Sequence, residues 1–83
     1  MEYFELINKK IGERIKQIRY DFDLTQSQMA KILDVTDVTI SNFELGKTIV
    51  NARHIITLHH KFNIDFYWLF FGIGNMIYDK NVK

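Results

Sequence analysis

The sequence predicts an all-α fold, a compact bundle of five short helices in a single domain spanning residues 1–83. Three observations carry this. Apolar residues recur at three- and four-residue spacings along the chain, the period of helices that bury one face. Good N-cap residues (Thr25, Thr36, Asn51 and Asp65) each stand just ahead of such a run, and Asp34, Gly46, Asn63 or Gly72 follows it. A chain of 83 residues is also too short to divide its core between two domains.

Helix by helix, the boundaries follow from these signals. Ile7, Ile11, Ile15, Ile18 and Phe22 line one face of a first helix over about 4–22, while Lys9, Lys10, Glu13, Lys16 and Gln17 face water. Thr25 followed by Gln28 is a capping box, so a second helix starts at Gln26 and buries Met29, Ile32 and Leu33. Ala30 lets a neighbouring helix come close. A turn at Asp34, Val35 and Thr36 needs one left-handed residue, which Asp tolerates better than most side chains.

Thr36 caps a third helix over about 37–45, stopped by Gly46. With Ile40 and Phe43 inward, Asp37, Val38, Ser41 and Asn42 point out. A fourth helix is expected over about 52–62 with Ile55, Leu58 and Phe62 in the core, and a fifth over 66–71 with Trp68 and Leu69 inward.

The pair of helices over about 25–46 resembles the helix-turn-helix of the Cro/CI-like repressor family, a lambda-repressor-like DNA-binding domain. The matching residues are Thr25 and Gln26, Ala30, the turn at Asp34 to Thr36, Ile40 and Ser41, and Glu44 with Gly46 and Lys47. Ile11, Gly12, Glu13, Arg14, Ile15, Lys16, Ile18 and Arg19 are similar to the family's first helix, and Trp68, Leu69, Gly72 and Gly74 to its last. The likeness covers roughly residues 7–76. It departs at Asp23, Asn51 and His59, where the family often carries Gly, Pro and a small residue.

The resemblance implies double-stranded DNA as the partner. Asp37, Val38, Ser41 and Asn42 would face base edges: Asn an adenine, Val a thymine methyl, Asp a cytosine amino group, Ser several bases. Asp37 has a second reading, as support for the helix N-terminus. Gln26, Thr36, Thr39 and Lys47 would hold phosphate, and Arg19 would pair with Glu44 to tie the first helix to the third.

Composition bounds the rest. Eleven basic against ten acidic residues leave a net charge of +1, so any phosphate attraction must come from local placement. The absence of Cys excludes disulfides and thiolate metal sites and suits the cytoplasm. The N-terminus lacks the basic lead-in of a signal peptide, and the most apolar stretch is broken by glycines and too short for a membrane span.

His54, His59 and His60 are not spaced to put two metal ligands on one helix face, and no nucleophile, carboxylate pair or phosphate loop marks an enzyme, so no metal or cofactor is expected. Within the C-terminal aromatic segment, about 64–78, Phe66, Tyr67, Phe70, Phe71, Ile73, Met76 and Ile77 form an apolar surplus. That surplus reads as a homodimer surface, unless the last residues fold back over it. The expectation is a dimeric repressor on a palindromic operator. The alternative is a helix-turn-helix kept as a protein-interaction module, an antirepressor or a regulator's partner, with the aromatic surface as its working face.

Overall fold

Helix α1, Glu2–Asp21, is the platform on which the other elements pack in a computed structural model that describes residues 2–78. Glu2 and Glu5 in its first turn and Arg19 in its last complement the helix dipole. This helps to explain why α1 starts earlier than the expected residue 4. It also stops short of Phe22, which is half out in solvent beyond the helix end, its ring 4.7 Å from that of Phe62.

After α1 come α2 (Gln26–Leu33), α3 (Asp37–Glu44), α4 (Ala52–Phe62) and α5 (Phe66–Phe71). The five helices and their order are those expected. Helix α1 packs on α3 and α5, and α2 on α3 and α4.

The caps that the residues predict are formed. Thr25 and Gln28 make both halves of the capping box, at 3.1 and 2.8 Å. Thr36, Asn51 and Asp65 each accept from the N–H three residues on. Asp34 and Asn63 adopt left-handed backbone at φ 57° and 58°, and Asp23 does so at φ 55° in the link from α1 to α2. Each α2 and α3 spans only about two turns, too short to be stable alone, so caps and packing together must hold them.

The core is continuous. Ile15, Ile18, Met29, Ile40, Phe43, Leu58, Ile64 and Leu69 are fully buried, each such aliphatic or aromatic side chain contributing roughly 1.5–3 kcal/mol. Helix α1 reaches α3 at Gly12, where a Cβ would collide with the Phe43 carbonyl, so only glycine permits the approach. Two long-range contacts brace this frame. The Asn8 amide donates to the carbonyls of Gly46 and Thr48, both at 3.3 Å, and Arg14 donates to those of Leu69 and Phe70 at 3.1 and 3.2 Å. Arg14 thereby satisfies α5 carbonyls that the helix end leaves without intrahelical partners.

Beyond α5 the chain turns back. Ile77 bridges antiparallel to Ile64, Asp65 N–H donates to Met76 O at 2.8 Å, and Tyr78 N–H donates to Asn63 O at 2.7 Å. The return seats Met76 against the core, yet Phe66, Tyr67, Phe71, Ile73 and Ile77 stay exposed.

Candidate nucleic-acid interface

The two motif helices are set by one turn. Asp34 leaves α2 in the left-handed region, Val35 N–H returns to Ala30 O at 3.0 Å, and Thr36 starts α3 two residues later. Ile40 and Phe43 anchor α3 in the core. Its opposite side is left to solvent: Val38 is 65% exposed, Asp37 is exposed, and Thr39, Ser41 and Asn42 are half-buried.

One carboxylate ties the interface to the platform. Arg19 donates from Nε to Glu44 Oε2 at 2.7 Å and from Nη2 to Oε1 at 3.1 Å, both groups being buried. The hydrogen bond to Glu44 is the main reason that the Arg19 pKa is raised above its ordinary value, so this charge is permanent. A third Arg19 donor reaches Leu24 O at 3.1 Å, and the guanidinium lies 4.7 Å from the Tyr20 ring centre.

Gln26 belongs to the same network. Its Nε2 donates to Glu44 Oε1 at 3.2 Å, which orients the amide at the start of α2 and uses one of its two N–H groups. The other has no acceptor among the described residues.

Asp37 turns toward the protein. Its carboxylate accepts from Val38 N–H at 3.0 Å, and its second oxygen lies 3.5 Å from the Ser27 hydroxyl. Of the two roles open to Asp37, this geometry matches support of the helix N-terminus. The hydroxyls of Thr36 and Thr39 are 2.9 Å apart and share one hydrogen between them, leaving the other O–H without an acceptor among the described residues. Lys47 is exposed just past the end of α3.

Two features of the region escaped the sequence reading. Helix α3 ends at Glu44, within a residue of the expected end, but its C-cap Leu45, which carried no outward role in that reading, is 58% exposed. Asn8 reaches across to the backbone after α3, a contact no local pattern announces. Elsewhere, His54 is buried with its ring 5.0 Å from that of Phe43, and neither of its nitrogens has a hydrogen-bond partner among the described residues. Burial, with Arg53 adding to it, holds its pKa below the ordinary value. Among the described residues no group of three or more His, Cys, Asp or Glu side chains could hold a metal, and no helix is long and apolar enough to cross a membrane.

Among the described residues the aromatic end presents hollows. Phe66, Tyr67, Phe70 and Phe71 line one of about 210 Å³, and His59, Asp65, Phe66, Tyr67 and Tyr78 line another of about 420 Å³. Phe70 and Met76 differ from the other members of the expected dimer surface, being partly packed on the core.

A family model described as a helix-turn-helix domain matches residues 12–75. The chain belongs to the helix-turn-helix domain family. It is 34% identical over 56 residues to the antitoxin PezA of Streptococcus pneumoniae serotype 4, covering 68% of this chain and 35% of that protein. It is 31% identical over 68 residues to the HTH-type transcriptional regulator DicA of Escherichia coli K12, covering 82% of this chain and 50% of that protein. The chain thus spans half or less of the length of these curated relatives. No solved structure matches it.

Proposed function

We propose that this chain is a sequence-specific DNA-binding transcriptional regulator, a repressor that occupies a palindromic operator as a homodimer and carries no catalytic activity. The observation that carries the reading is the solvent-facing side of α3, where Val38, Ser41 and Asn42 stand opposite the anchoring Ile40 and Phe43. In a helix-turn-helix this is the helix that enters the major groove. Gln26, the Thr36 and Thr39 hydroxyls and Lys47 supply phosphate contacts, which set register and not sequence preference. Membership of the helix-turn-helix family supports this reading, as does the likeness to DicA, by name a transcriptional regulator.

The exposed aromatic residues Phe66, Tyr67 and Phe71 are the proposed dimer surface, where a two-fold axis would set two α3 helices roughly 34 Å apart, one turn of DNA. A dimer bound there excludes polymerase from the operator. Selection of bound duplexes from a random pool tests the proposal: enrichment of two related half-sites supports it, and a pool that stays random contradicts it.

The same aromatic surface favours a second reading, a domain whose partner is another protein, and one relative is by its name an antitoxin. Retention on random duplex DNA at low salt, lost as salt rises, separates the two, since a protein-interaction module has no reason to bind phosphate.

A further inference from the structure

Val38, Asn42 and the C-cap Leu45, whose backbone is still helical, stand at i, i+4 and i+7, so they form one stripe along the outer side of α3 and its end, opposite the buried Ile40, Phe43 and Glu44. Two members of the stripe are branched apolar side chains left more than half exposed, Val38 at 65% and Leu45 at 58%. A single exposed apolar residue is ordinary on a protein surface. Here, however, two flank Asn42, the one amide side chain of α3.

The charges are informative too. Helix α3 reads DVTISNFE and contains no Lys or Arg, so the commonest specific contact to guanine, a bidentate bond from a cationic side chain to O6 and N7, is not available from it. A cytosine amino group calls for a carboxylate. Asp37 is turned onto Val38 N–H and toward the Ser27 hydroxyl, and both oxygens of Glu44 are taken by Arg19. What remains outward is apolar surface, the Asn42 amide, and the hydroxyls of Thr39 and Ser41. Apolar side chains match the thymine methyl group, and an amide matches the paired N6 and N7 of adenine.

We infer that α3 reads an A·T-rich half-site, with Val38 and Leu45 packed on thymine methyl groups and Asn42 bonded to an adenine edge. This rests on the DNA-binding reading and specifies the chemistry of its target. It makes Leu45 a specificity-determining residue.

The test starts from the duplex enriched by selection. Each thymine is replaced in turn by deoxyuridine, which removes only the methyl group and keeps the base pairing. At each contacted thymine the affinity falls about fourfold, the effect of one buried methylene-sized group. Leu45→Ala and Val38→Ala, both surface changes, each become insensitive to replacement at one thymine while remaining sensitive at the other. A selected site with G·C pairs under α3, or one whose thymines can all be replaced without loss, overturns the inference and leaves the DNA-binding reading intact. A pool with no enriched sequence overturns that reading instead.

Discussion

The guanidinium of Arg19 and the carboxylate of Glu44 meet in two parallel hydrogen bonds, and through them the platform helix grips the last turn of α3. The pair is buried, and Gln26 shares the carboxylate, so one charge joins α1 to both helices of the motif. The stability such a pair adds over an apolar replacement is small, because desolvation offsets the attraction.

Its disruption is another matter. Glu44→Leu strands the Arg19 charge beside apolar surroundings, with an expected loss of about 3–5 kcal/mol in urea unfolding. Combining it with Arg19→Met is expected to cost less than the sum of the single changes. Strict additivity in that double-mutant cycle would show the pair to be uncoupled.

Gly12→Ala tests the approach of α1 to α3. Alanine gains about 1 kcal/mol of helix propensity over glycine, but its Cβ meets the Phe43 backbone, which cannot rotate aside. Overpacking of about 1–3 kcal/mol wins, so the variant should unfold at lower denaturant; a more stable variant would mean the helices separate freely.

His54 makes stability depend on pH. Its folded pKa lies below the ordinary 6.5, so the unfolded chain binds the proton first and stability falls as pH drops below about 6.5, until the lowered folded pKa is reached. His54→Leu keeps an apolar group against Phe43 and removes the titration. Between pH 7.5 and 5.5 the variant should lose less stability than the parent; equal losses would assign the effect to other groups.

Tyr67→Asp together with Phe71→Asp places charge on residues more than half exposed, leaving the core untouched. The double variant should keep its helical circular dichroism and sediment as a monomer, with the parent expected to sediment as a dimer. An unchanged mass would remove the aromatic surface from the assembly.

Most of the fold was legible because its signals are local. Thr25 with Gln28, Thr36, Asn51 and Asp65 each bond within three residues, and Asp23, Asp34, Asn63 and Gly72 end or link elements through their own backbone. The Arg19–Glu44 pair was legible only through family resemblance. Other side chains that act at a distance left no such trace. Asn8 reaches backbone 38 and 40 residues away and Arg14 backbone 55 and 56 away, and nothing in helical periodicity encodes either contact. Leu45 escaped notice for a related reason: at a helix end, one residue of fraying decides whether a leucine joins the core or the outer stripe.

In the proposed complex α3 reads bases while Gln26 and Lys47 hold the backbone. The most direct measurement is the affinity of three variants for the selected duplex and for its single-base substitutions, across a salt series. Asn42→Ala should cost about 1–3 kcal/mol and relax preference at one base pair; Gln26→Ala should weaken all duplexes alike; Lys47→Ala should also lower the salt slope by about 1. Equal affinity of Asn42→Ala and the parent for every duplex would contradict the account.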